Sequence, residues 1–236
     1  MFTLGHFIWL IIIISLIVVS MILIKRLNVK PKKVETIVLV LLVIFKIVHF
    51  ALSMKQLPDG SMVLYQTQLS FHLCSIQIYL FILTQVVKNE NFVNTVKSFM
   101  VPCMVIGATF SLLIPTEGVD PSVLRVWQYM LIHGTLVFYG FYLMLIEKVD
   151  LSLNSFFKNL GLLVVIVLIA MFMNSVLEQY GTNFLFLRMP PMEGLPILNL
   201  NHGWYIYFVS LSLVAIVLIF LVQLPFIIKS LKKNKL

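Results

Sequence analysis

Seven stretches of this chain stay apolar for close to twenty residues at a time, and twenty is about the number a helix needs to cross the hydrocarbon layer of a bilayer. The approximate spans are Phe7–Ile24, Glu35–Ser53, Leu69–Val87, Ser98–Ile114, Val126–Ile146, Phe157–Met173 and Gly203–Ile228. Little chain is left between them, so a single transmembrane domain over residues 1–236 is expected, with no separate soluble domain. Composition agrees: 61% of residues are hydrophobic and 11% charged. A soluble domain would carry about 25% charged residues. The predicted fold class is therefore all-α, a polytopic bundle of seven transmembrane helices. The fourth span is the weakest, short and carrying Pro102 and Gly107, and it can be re-entrant or kinked; Pro102 falls near its first turn, where proline is best tolerated. The first span ends, rather than begins, in positive charge (Lys25 and Arg26), so it reads as a retained helix and not as a signal peptide.

Loop charge supplies the orientation. Lys25, Arg26, Lys30, Lys32 and Lys33 lie between the first two spans. Lys88 and Lys97 follow the third, Lys148 and Lys158 the fifth, and Lys229, Lys232, Lys233 and Lys235 close the chain. The alternate loops hold only Lys55, Arg125 and Arg188. Positive charge marks the cytoplasmic side, which puts the N-terminus outside, the C-terminus in the cytoplasm and the protein, as a multi-pass component, in the cell membrane. The net charge of +8 then reads as attraction to anionic lipid; no nucleic-acid motif accompanies it, and nucleic acid is not an expected partner. Cys74 and Cys103 sit within apolar segments and do not form an extracellular disulfide framework.

With directions assigned, polar residues acquire depths. Lys46 falls roughly 12 Å below the outer end of the second helix, with His49 one turn nearer the surface on the same face. That is too deep for easy snorkelling, so Lys46 should turn into the bundle or be neutral. His72, Cys74 and Gln77 descend through the third span; Tyr129 and then His133, about 10 Å deep, descend through the fifth. Asn201 and His202 adjoin the seventh, followed by Trp204, Tyr205 and Tyr207. Four histidines converge on one leaflet, whereas the unremarkable His6 lies at the outer end of the first helix, which is almost purely aliphatic apart from Ser15 and Ser20 and serves as packing. The inner half shows no matching polar set.

Ionisable groups inside a bundle are costly and tend to mark a pathway or a site; a structural polar network is the alternative. On a helix, His72 and Cys74 point about 200° apart and form no local dyad. Cys74 as a nucleophile would need a base from another helix, His133 first, then His202 or His49; as a packing residue it needs none. The histidines with Cys74 could also ligate a metal, but HExxH and carboxylates at ligand spacing are missing, and neither a metal nor a cofactor is expected. Glu117, Asp120, Glu178 and Glu193 read as solvated charge in outer loops. The long loop from Asn174 to His202, with Tyr180, Asn183, Pro190, Pro191, Pro196 and Asn199, is too polar to span; it either folds over the mouth of the bundle or is an ordinary connector.

The segment Leu69-Ser70-Phe71-His72-Leu73-Cys74-Ser75-Ile76 resembles the HLC-containing third helix of YwaF-type bacterial integral membrane proteins. His133 in Leu131-Ile132-His133-Gly134 resembles that family's second histidine helix, and Gly181–Pro190 looks like its N-Y-x-x-L-x-x-x-P loop, with Phe184 where tyrosine is common. Trp204 and Tyr205 resemble the aromatic opening of its last helix. That family is distantly similar to a eukaryotic cysteine-dependent transmembrane phospholipid acyltransferase. The resemblance implies an enzyme of lipid metabolism whose partners are membrane phospholipids. Cys74 would carry the acyl group, and His133 or His72 would assist it. Lys46, His49, Gln77, Tyr129, Asn183 and His202 would surround the substrate. Two other readings stand beside it: a small-molecule or ion transporter using the Lys/His pathway, and a membrane protein that is structural only.

Overall fold

The computed structural model describes residues 3–192 and 194–233, with the side chain of Lys233 excepted, so Glu193 and Lys235 lie outside the described residues. Its regular structure is helical apart from one short hairpin. The helices are α1 (Leu4–Arg26), α2 (Pro31–Ser53), α3 (Leu73–Val86), α4 (Glu90–Leu113), α5 (Leu124–Glu147), α6 (Leu153–Val176) and α7 (Trp204–Lys233). Strands β1 (Met54–Gln56) and β2 (Met62–Leu64) pair antiparallel, Lys55 opposite Val63.

All of these helices except α3 are long and apolar enough to cross a membrane, and they match six of the seven predicted spans. The third differs. Residues 69–72 are irregular, and α3 itself, Leu73–Val86, has 14 residues, about 21 Å at 1.5 Å per residue against a hydrocarbon layer of about 30 Å. His72 therefore precedes the first helical turn, and the angular argument separating it from Cys74 on a common helix does not apply.

The fourth span is also corrected. It is a full-length helix that begins at Glu90, because the Asn89 side chain caps it by accepting the Phe92 N–H at 3.0 Å. Pro102 lies mid-helix, not in the first turn. A proline ring removes one backbone donor and crowds the preceding turn; here the helix widens into a π-helical segment over Cys103–Ala108 before resuming. A second π-helical segment, Leu143–Glu147, ends α5.

The chain forms two compact units. The first holds α1–α5 and the hairpin. Its centre is α5, on which α1, α2 and α4 all pack, while α1 and α2 barely touch each other. Two glycines permit the approach. A Cβ on Gly134 would come within 3.0 Å of the Ile13 side chain of α1, and one on Gly140 within 3.0 Å of Met104 and Val105 of α4. Small residues at helix crossings do this work in bilayers, where apolar burial gives no drive. His6, predicted to be unremarkable, is fully buried, its Nε2 2.8 Å from the Leu112 carbonyl of α4. Trp9 Nε1 donates to Val119 O at 3.2 Å, so α1 is tied in at this end by polar contacts as well as packing.

The second unit comprises residues 65–73 and everything from Asp150 onward. Phe156 of α6 packs with Ile219 and Ile227 of α7, and Ala170 packs with Phe184 and Leu187 of the connecting loop.

Replacing Gly140 with alanine is expected to cost about 1–3 kcal/mol through overpacking against the α4 backbone. Its thermal unfolding midpoint in detergent should fall, whereas Gly161→Ala, where a Cβ meets open space, should leave it unchanged.

Candidate functional site

A polar cluster of the first unit gathers residues from α2, α3, α4 and α5. Lys46 is 8% exposed; its Nζ donates to Ser75 Oγ at 3.2 Å and lies 4.7 Å from the centre of the Phe50 ring. Its side chain thus turns into the unit, as its depth predicts, and it meets no carboxylate in an ion pair among the described residues. A hydroxyl and a ring face are modest compensation for a buried ammonium. Cys74, half-buried, has Sγ 3.9 Å from Ser111 Oγ on α4. The Tyr129 hydroxyl donates to Ser111 O at 3.1 Å. His133 Nδ1 lies 2.7 Å from Tyr129 O. A carbonyl only accepts, so Nδ1 carries the proton, and the Nε2 lone pair of the neutral ring stays available as a base. The Tyr129 and His133 rings are 4.3 Å apart.

Several candidates are thereby brought together: Lys46 with Cys74's neighbour Ser75, and Cys74 and Tyr129 through Ser111, with His133 against Tyr129. No hydrogen bond joins Cys74 to His133 among the described residues; the sulfur's polar contact is Ser111. Gln77 is fully buried one turn below Cys74, and neither atom of its amide has a partner among the described residues. His49 is half-buried with its ring beside Phe50. Sequence reasoning passed over Ser75 and Ser111, because a serine in a membrane helix is read as locally satisfied by its own helix. Ser111 does donate to Gly107 O, at 3.1 Å, which leaves its lone pairs facing the thiol.

Three more candidates belong to the second unit. His72 packs on the rings of Phe184 and Phe186, at 5.6 and 5.4 Å. The Asn183 amide builds its own loop, donating to Met189 O at 2.9 Å and accepting from the Arg188 and Met189 N–H groups. His202 is exposed in the turn before α7. The loop that carries Asn183 and His202 is strained: Leu185 and Phe186 take left-handed φ values of 55° and 56°. Asn174 holds it from α6, accepting the Phe184 N–H at 2.8 Å and donating to Phe184 O at 3.0 Å. Trp204 Nε1 donates to Leu187 O, and the Tyr207 hydroxyl to Phe186 O.

A second buried polar cluster, at the end of the first unit where α2 begins, corrects the expectation that this half of the helices is apolar. Lys97, counted from sequence as a loop charge, is a buried residue of α4, because α4 begins seven residues before it. Its ammonium lies 2.5 Å from Glu35 of α2 and 2.6 Å from Glu147 of α5. Gln85 of α3 reaches Glu35 Oε2 at 3.5 Å. The hydroxyls of Tyr139 and Tyr142 are buried on the same face of α5 without partners among the described residues. Glu117 and Glu178 lie in surface pairs, the first half-buried with Arg125 and the second exposed with Arg188. The Ser122 backbone N–H and hydroxyl hold the exposed Asp120 carboxyl below the usual carboxylate range. Groups of three or more His, Cys, Asp or Glu residues able to hold a metal are absent among the described residues.

Helices of this length and apolarity, with ion pairs and histidines turned inward, define a multi-pass membrane protein. The chain belongs to the TMEM164 family, whose model matches residues 1–223. No curated protein and no solved structure shows significant similarity to it.

Lys97→Met, which strands the buried Glu35 carboxylate and the half-buried Glu147 one, should cost about 3–5 kcal/mol, and Arg188→Met, in an exposed pair, at most about 1 kcal/mol; chemical denaturation in detergent measures both. Adding Glu35→Gln and Glu147→Gln to Lys97→Met should restore much of the loss. Asn174→Ala leaves the Phe184 N–H without a partner and Phe184 O with the Leu187 N–H as its remaining donor, and amide hydrogen exchange at residues 184–187 should accelerate at least tenfold, from a loss of about 2 kcal/mol.

Proposed function

We propose that the protein transfers acyl chains between phospholipids through a Cys74 thioester. The observation that carries this reading is the setting of Cys74: its sulfur faces Ser111 within the polar cluster instead of lipid, in the same unit as a histidine whose Nε2 is left open. The likeness of the Leu69–Ile76 segment to YwaF-type proteins points the same way. In the first half-reaction Nε2 of His133 takes the thiol proton and the thiolate attacks the ester carbonyl of a phospholipid. The C–S bond forms, the ester C–O bond breaks, and the departing lysolipid oxygen takes the proton from His133. In the second, His133 takes the proton of a lysophospholipid hydroxyl, whose oxygen attacks the thioester, and the sulfur leaves and regains its proton. Lys46 with Ser75 would hold the phosphate or the developing oxyanion, and the Gln77 amide, without a partner among the described residues, has donors for the same purpose. His49 and Tyr129, of the same unit, would contact the remainder of the substrate. The loop-charge bias supports a site in the outer half of a cell membrane crossed seven times, with the N-terminus outside.

A second reading, movement of a proton or small ion, is favoured by one observation. Gln77 and Tyr139 sit along α3 and α5 between the Lys46 cluster and the Lys97 cluster, with buried polar atoms lacking partners among the described residues.

The test uses the purified full chain with labelled phospholipid and lysophospholipid. Acyl exchange should fall at least a hundredfold in Cys74→Ala, and a hydroxylamine-sensitive acyl adduct should form on the native protein alone. Equal exchange by both proteins removes Cys74 from the mechanism. For the second reading, proteoliposomes should show a proton or cation flux that Gln77→Leu reduces and Cys74→Ala does not.

A further inference from the structure

Because α1 and α2 both pack on α5 and barely touch each other, a groove runs between them with α5 as its floor. Its volume is about 560 Å³, within the range of pockets that hold small molecules. The walls are apolar: Ile13 and Ile17 of α1, Leu41 and Phe45 of α2, Leu131 and Phe138 of α5. Gly134 lies in its floor and lets α1 sit close on α5 at the level of Ile13. At the other end Lys33 lines the groove, beside the turn that carries Lys25, Arg26, Lys30 and Lys32. All five are exposed. The chain has no acidic residue before Glu35, and Glu35 is already bound to Lys97, so this turn has no carboxylate of its own to neutralise it.

We propose that this groove binds one anionic phospholipid, its acyl chain between α1 and α2 and its phosphate at Lys33. The charge decides the occupant. A zwitterionic lipid or a helix from a second copy would satisfy the apolar walls but leave five uncompensated cations at the mouth. An anionic phospholipid fits the walls with its chain and adds a net negative charge beside Lys33, the cation that lines the groove, a contact with an anionic lipid contributing about 1 kcal/mol per lysine. The site is separate from the Cys74 cluster. It would wedge α1 and α2 apart at a fixed spacing, and its lipid would be bound rather than consumed.

The test is native mass spectrometry of the full chain taken from bilayers containing equal phosphatidylglycerol and phosphatidylcholine. One phosphatidylglycerol should be retained in clear preference to phosphatidylcholine. Lys33→Gln should weaken that retention about fivefold, the factor that corresponds to one such contact. Lys232→Gln, which removes a cation at the far end of the chain, should leave it unchanged. Ile17→Trp, which fills the groove, should abolish retention while the thermal midpoint shows that the protein is folded; if it does not fold, the Lys33→Gln arm decides alone. Equal retention of the two lipids, unchanged retention in Lys33→Gln, or a dimer that Ile17→Trp dissociates would each overturn the proposal.

Discussion

Lys97 bridges two carboxylates that come from helices far apart in sequence, Glu35 on α2 and Glu147 on α5. In a bundle with no hydrophobic drive between helices, such a bridge fixes which helices are neighbours and how far each is inserted. Desolvating three charges is expensive, and the pairing compensates only while all three stay in place. The arrangement therefore acts more as a register pin than as a source of stability. With α2, α4 and α5 pinned at this end, a helical rise of 1.5 Å per residue carries Lys46, eleven residues up α2, about 16 Å away into the other half. There it meets Ser75, while Ser111 of α4 meets Cys74 and Tyr129. The Cys74 cluster thus inherits its geometry from a salt bridge it does not touch.

Both π-helical segments belong to the same design. One lies immediately after Pro102, and it lets α4 continue to Ser111 although the proline has removed a donor from the middle of the helix. The other ends α5 and carries Glu147 to Lys97. Close contact at Gly140 adjoins the first of them: the Gly140 position faces Met104 and Val105 within it. A widened turn on one helix and a missing side chain on the other bring the two together.

The second unit uses a different device. Its loop holds two non-glycine residues in the left-handed region, a conformation that persists only when its surroundings over-determine it. Asn174, Trp204 and Tyr207 supply that through four hydrogen bonds to the backbone of Phe184, Phe186 and Leu187. The result is a rigid aromatic surface of Phe184 and Phe186 on which His72 rests.

Hydropathy alone located six of the long helices, because a twenty-residue apolar run in a chain with few charges admits one structure, in which every backbone group is satisfied internally. It also identified Lys46 as a side chain that must turn inward, since depth follows from residue count. What it could not settle was anything depending on a partner from another helix. Lys97 read as a loop charge because its pairing with Glu35 and Glu147 is invisible until α4 is seen to begin at Glu90. His72 read as helical because apolar residues continue through an irregular stretch without a break in hydropathy. His6 read as idle because the carbonyl it bonds belongs to a helix a hundred residues away. Hydropathy is a property of each segment by itself; pairing, capping and close approach are properties of two segments at once, and only the tertiary structure brings the second one in.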